Sequence, residues 1–382
     1  MKRLVFAPGI CQIINAAAAL AQQQQDAGEP GGHDDILVLF GTARNTEFSA
    51  AMEQAAKAVW PWRAIVWAHN ILVSHFPLHL FAPVARAALN DLLGGSADEI
   101  WVSKLGHETT NLVLHAFPTS RVMLFEDGAE DFIPRQVVCG WDRMRKLGPS
   151  AWLGGLRREA SHWSRTPECL ELDGVCLRDR RRVVAMYSYL ASYLASPDCL
   201  KDVRTIPVSA SVLRGRLHTL EPLYEAAQRA QPPQSPGEKA VLFLPQPFAD
   251  MFLTLENEYA IYRAAVGRLL DKGYSILWKE HPREITPLAP RLKQDLGDGR
   301  LTVLRVRQQM PVESLVRGWN LAGVVSVSST SLFYLKGLYG YPAYTAAGLI
   351  GSDGWLKWTD RELAAMFIRT LPGLDELPPA GA

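Results

Sequence analysis

Residues 121–132 read RVMLFEDGAEDF: four apolar residues, Val122 to Phe125, run into Glu126, Asp127 and Gly128. A buried strand that stops on two adjacent carboxylates and a glycine has three uses for them. They can bind a cation, take a proton from a substrate, or start a turn. The choice between these depends on what surrounds the strand.

Upstream, apolar runs alternate with helical patterns. LVFA (4–7) reads as a strand, followed by a turn at Pro8-Gly9 and an Ala-rich helix from about Gln12 to Gln25. Strands are expected at 36–42, 63–68 and 99–105, with helices at 47–59, 83–95 and 109–117 between them. VVAMYSYLASYL (183–194) reads as a further helix. Strands that are continuous apolar runs, separated by helices, imply a parallel sheet covered on both faces. The stretch 227–240, AQRAQPPQSPGEKA, is the clearest linker. Beyond it the pattern restarts, with strands at 240–246, 274–281, 301–306 and 322–327 and helices at 257–273 and 331–340. The expected architecture is α/β, with two Rossmann-like doubly wound domains facing a cleft. Residues 1–226 form an acceptor-side domain carrying the acid motif, and residues 241–382 form a nucleotide-donor domain whose last helix packs back on the first.

Composition narrows the function. The chain has 382 residues, 48% hydrophobic and 21% charged with 11 Trp, so two packed domains are expected and disorder is not. A formal net charge of +1 argues against nucleic acid as a partner. The 5 cysteines are odd in number and include no CxxC pair, which suits a reduced, cytoplasmic compartment. The N-terminus carries Met1-Lys2-Arg3 and then an apolar run, superficially a secretory signal. Pro8, Gly9, Gln12 and Asn15 interrupt that run, so a buried first strand and helix fit better. No apolar run approaches the ~20 residues that span a bilayer.

Two further constellations lie where a doubly wound sheet places ligands, beyond the carboxyl ends of strands. In WKEHPRE (278–284), Pro282 keeps His281 extended and ends the strand. The imidazole is left at the sheet edge beside Lys279 and Arg283, a setting for an anionic ligand. In SVSSTSLF (326–333), a buried strand opens into Ser328, Ser329, Thr330 and Ser331 at a helix start. Such hydroxyls cap orphan N–H groups, and the same helix end binds phosphate. Capping alone accounts for one hydroxyl but not for four in a row. A carboxylate to deprotonate an acceptor, with an imidazole and hydroxyls to receive a leaving phosphate, suits sugar transfer from a nucleotide donor. No ligand cluster for a metal stands out, because Pro77 spoils the His75/His79 helical pair. No metal is needed if protein groups neutralise the phosphate.

In these motifs the sequence resembles the bacterial polysialyltransferase and lipooligosaccharide sialyltransferase group, which has the glycosyltransferase-B fold. Glu126-Asp127-Gly128 matches its two-acid-plus-glycine motif and His281-Pro282 its His-Pro motif. Ser328-Ser329 or Ser329-Thr330 matches its late Ser/Thr pair. APGICQIINA, DEIWVSKL and GYSILWKEHPR also agree, and the resemblance spans about residues 3–350. It implies inverting transfer of sialic acid from CMP-sialic acid to a glycan hydroxyl, in surface polysaccharide or lipooligosaccharide synthesis. The base would be Glu126 or Asp127 and the acid His281. Between the two acids, an Asx-type turn at Asp127-Gly128 would favour Glu126 as the base. Two more acids, Glu130 and Asp131, follow closely, a departure that puts the acceptor side in doubt.

Other donors on the same fold stay open, namely CMP-Kdo, a UDP-sugar or CDP-glycerol, as does a non-catalytic glycan-binding or assembly protein. Residues 135–182 carry eleven Lys/Arg against six Asp/Glu, with Arg178 and Arg181 near one end and Trp141, Trp152 and Trp163 among them. This segment suits contact with an anionic glycan or peripheral association with the anionic inner face of the cytoplasmic membrane. The commoner explanation for such a segment is a solvated basic face with core tryptophans. His107 is a further acceptor-side candidate.

Overall fold

The computed structural model describes residues 1–28, 33–40, 46–68, 71, 82–103, 108–128, 182–193, 200, 202–224, 239–247, 254–281, 286–297, 299–304, 306, 310–327, 329–346 and 375–376. These fall into two compact units that divide at Leu220/Glu221, ahead of the expected boundary at 226. Most of the linker expected at 227–240 and the last helix expected to pack back lie outside the described residues.

In the first unit the chain runs β1 (Lys2–Ala7), α1 (Ile10–Ala27), β2 (Asp34–Leu39), α2 (Thr46–Val59), β3 (Ala64–Trp67), α3 (Ala82–Leu93), β4 (Glu99–Val102), α4 (Glu108–Ala116) and β5 (Arg121–Phe125). It resumes with β6 (Val183–Ser188), a 3-10 turn (Leu190–Ser192), β7 (Arg204–Pro207) and α5 (Ala210–His218). The sheet has the order β3-β2-β1-β4-β5-β6-β7, and every pair is parallel. β1 is central, and Leu4, Val5 and Ala7 are fully buried. The N-terminal apolar run is therefore core strand and helix, as its interruptions suggested.

Residues 183–188, expected to be helical, form β6 instead. VVAMYS is short and opens on two β-branched residues, so its periodicity cannot separate strand from helix. Pairing decides it: Ala185, Met186 and Tyr187 sit in parallel register with Met123, Leu124 and Phe125 of β5.

A buried ion pair crosses the N-terminal ends of β1 and β2. Arg3 is fully buried and its guanidinium donates to both oxygens of Asp35, Nη2 at 2.6 Å. Trp60 Nε1 donates to the same carboxylate at 2.9 Å, and Gln23 Oε1 accepts from Arg3 Nη1 at 2.7 Å.

The second unit runs β8 (Ala240–Leu244), α6 (Leu255–Asp271), β9 (Ser275–Trp278), α7 (Ala289–Leu296), β10 (Leu301–Val303), α8 (Val312–Leu315), β11 (Gly323–Ser326), α9 (Ser331–Tyr339), β12 (Ala343–Thr345) and β13 (Asp375–Glu376). Its sheet is again parallel, in the order β10-β9-β8-β11-β12-β13. Order reverses between β8 and β11, the switch point at which open α/β sheets take ligands. Aromatic packing fixes β8, β9 and α6 to one another. Phe243 stacks on Trp278 with centroids 5.0 Å apart, and Tyr262 meets both edge-on at 5.7 and 5.5 Å. Among the described residues, no helix is long and apolar enough to cross a membrane.

Candidate active site

The acid motif sits at the carboxyl end of β5, and the sheet treats its two carboxylates differently. Glu126 is 2% exposed. Its Oε2 accepts from the Ser188 hydroxyl at the end of β6 and from the Leu190 backbone N–H at 2.8 Å. Ser188 Oγ in turn accepts the Ala191 N–H at 3.1 Å, so one hydroxyl ties the turn after β6 to the tip of β5. Burial pushes the nearby Tyr189 phenol well above its ordinary range, and its hydrogen bond with the Tyr193 hydroxyl adds to the effect.

Asp127 is only half-buried, and its Oδ1 accepts from Gln12 Nε2 at 2.8 Å. One helical turn further along α1, Asn15 Nδ2 donates to the Glu126 carbonyl at 3.0 Å. Gly128 has φ +155°, which side chains rarely adopt, so the motif's glycine is a backbone requirement. The structure thus buries Glu126 and leaves Asp127 half-buried against Gln12. The partners Gln12, Asn15 and Ser188 were not legible beforehand. The polar breaks in the α1 pattern at Gln12 and Asn15 were their sequence signal.

In the second unit, Lys279 and His281 follow β9, and Ser329, Thr330 and Ser331 follow β11, on either side of β8 at one edge of the sheet. Lys279 is 6% exposed, its backbone N–H bonds to Phe243 O at 3.1 Å, and its Nζ lies 3.4 Å from the Glu280 carbonyl. His281 is half-buried. Pro282 and Ser328 lie outside the described residues, as do His107, Arg178 and Arg181.

The hydroxyl cluster has internal partners. Ser326 Oγ donates to Leu244 O at 2.6 Å, which ties β11 to β8, and accepts the Ser329 N–H at 3.3 Å. Ser329 Oγ accepts the Ser331 N–H at 3.3 Å, so it closes the first turn of α9. The Thr330 side chain makes no capping bond. Of the four hydroxyls, Ser329 thus takes the local bonding role that capping was expected to give to one of them.

Sequence reasoning missed Glu313 entirely. It lies on α8, a short helix packed against α9, and it is buried. Burial raises its carboxyl above the ordinary carboxylate range, while a hydrogen bond with Ser331 and the charge of Lys279 pull it back. Glu313 thus senses both the β9 tip and the α9 start. Among the described residues, no group of three or more His, Cys, Asp or Glu could hold a metal.

Two parallel Rossmann-like sheets with motifs at strand tips define a glycosyltransferase-B type α/β protein. Solved structures share this architecture at low identity. The UDP-GlcNAc 2-epimerase from Neisseria meningitidis bound to UDP-GlcNAc matches with a TM-score of 0.54 and 13% identity over 96% of this chain and 85% of that one. S. aureus MnaA with UDP matches with a TM-score of 0.52 and 10% identity over 97% and 89%. The glycosyltransferase-B domain of a sialyltransferase from Photobacterium damselae matches with a TM-score of 0.49 and 11% identity over 99% of each chain. No curated protein sequence matches the chain. The alpha-2,8-polysialyltransferase (POLYST) family model matches residues 3–347, and the chain belongs to that family. It is a glycosyltransferase of the sialyltransferase type.

Proposed function

We propose that the enzyme transfers sialic acid from CMP-sialic acid to a glycan hydroxyl, with inversion and with no obligatory metal. Asp127 accepts the proton of the acceptor hydroxyl as its oxygen attacks C2 of the sialic acid. The bond between C2 and the phosphate oxygen breaks through an oxocarbenium-like state, and CMP leaves with the electron pair. His281 holds or protonates the departing phosphate. Lys279 and the α9 N-terminus stabilise its charge, with Pro282 and Ser328 to Ser331 as the further phosphate-binding residues. Glu126 serves as the buried clamp that keeps Asp127 at the sheet edge.

The observation that supports this division of labour is the difference between the two acids. One carboxylate is spent on Ser188 and Leu190, and its neighbour keeps solvent access. A general base needs an oxygen that an incoming hydroxyl can reach.

The fold neighbours carry UDP or UDP-GlcNAc, which favours a UDP-sugar as the second reading. Donor cleavage assayed on CMP-sialic acid, CMP-Kdo, UDP-sugars and CDP-glycerol separates them. Release of CMP from CMP-sialic acid is expected, whereas release of UMP or UDP alone would count against sialyl transfer. Acceptors in surface polysaccharide or lipooligosaccharide synthesis fit the chemistry, with the basic 135–182 segment on the acceptor or membrane side.

A further inference from the structure

α1 begins on a glycine, beside the acid motif. Its N-cap, Gly9, is extended (φ −162°, ψ 172°) and has no side chain to cap the orphan N–H groups. The first helical bond runs from Ile13 N to Gly9 O at 3.0 Å. The space that a Cβ on Gly9 would fill is taken by Gln12, whose Oε1 lies 2.7 Å from that position. With its oxygen folded over Gly9, the Gln12 amide presents its other end, Nε2, to Asp127 Oδ1 at 2.8 Å. Reaching back over the N-cap is usual for a glutamine at the third helical position, and here the same amide also meets Asp127. Three residues on, Asn15 fixes the adjoining Glu126 carbonyl, so the same helix face grips the motif twice.

We infer that Gln12, seated over Gly9, is the positioning residue that fixes the Asp127 carboxylate for proton abstraction. The inference rests on Asp127 being the base. The N–H of Gln12 occupies Oδ1 of the carboxylate and sets the plane of the group. Gly9 is required because any side chain there displaces the Gln12 amide, the far end of a flexible chain, before it strains the backbone.

The test is a set of mutant cycles on the full-length enzyme, with transfer rates followed by mass spectrometry and folding by thermal melting. Gln12→Ala and Gly9→Ala should each lower kcat about 10- to 100-fold, as expected when a reacting group is misplaced by an ångström or so. Donor KM and melting temperature should stay near wild type. Gln12→Glu, which keeps the shape but replaces the donating NH2 with oxygen, should be as impaired as Gln12→Ala. In an Asp127→Ala background, measured with excess enzyme, neither Gln12→Ala nor Gly9→Ala should cost anything further. Losses that multiply in that background, or a Gln12→Ala variant with wild-type kcat beside an inactive Asp127→Ala, would overturn the positioning role alone. A fully active Asp127→Ala would overturn the base assignment and this inference with it.

Discussion

Glu126 Oε2 accepts the Leu190 backbone N–H at 2.8 Å across 64 residues of sequence, and so joins the tip of β5 to the turn that follows β6. Removing one partner of a buried hydrogen-bonded group leaves the others unsatisfied, at about 1–3 kcal/mol. Glu126→Gln keeps the shape but turns an NH2 toward two donors, so its melting temperature should fall measurably. Asp127→Asn should melt near wild type yet lose about 10²–10⁴ in kcat, the usual contribution of a general base. A Glu126→Gln enzyme that melts normally but is inactive, beside an active Asp127→Asn, would reverse the two roles.

His281 follows β9 at the edge where phosphate is expected. His281→Ala should lower CMP release by about 10²–10⁴ while the protein stays folded. If glycan binding and transfer both survive that substitution, the imidazole has no part in the chemistry.

Glu313 makes a pH prediction of definite sign. Burial raises its carboxyl in the folded state, so the folded protein binds this proton more tightly than the unfolded chain does. That contribution to stability is complete below the unfolded carboxylate pKa and is lost as pH rises through the raised folded value. Glu313→Gln, neutral at every pH, should therefore gain stability relative to wild type as pH rises. Melting curves taken across the acid to neutral range would show the gap, and a gap that narrows with pH would contradict it.

The Arg3–Asp35 pair is a structural counterpart far from the strand tips that carry the motifs. Arg3→Leu strands a carboxylate that is 4% exposed, a change expected to cost about 3–5 kcal/mol. The lower denaturant midpoint should come without a change in donor KM for the protein that remains folded.

The fold was legible wherever an apolar run was long or its helix well patterned. β1, β2, β5, β8 and β11 were expected within a few residues of where they lie. Residues 183–188 were misread because a short run of Val, Met and Tyr suits either period, and only pairing with β5 settles it. The site was legible as motifs at strand ends, because proline, glycine and abrupt polarity mark those points in the sequence. The separate fates of Glu126 and Asp127 were not legible, since their partners Ser188, Leu190 and Gln12 are distant in sequence and meet them only through sheet order. Glu313 left no trace because nothing in VESL distinguishes a buried acid from an exposed one.

The most direct test of the central claim is incubation of the enzyme with CMP-sialic acid and a panel of galactosyl and sialyl acceptors, read by mass spectrometry. Acceptors should gain one or more sialyl residues with stoichiometric CMP, and Asp127→Asn and His281→Ala should abolish the gain. No mass gain on any acceptor, or undiminished transfer by both variants, would contradict the account.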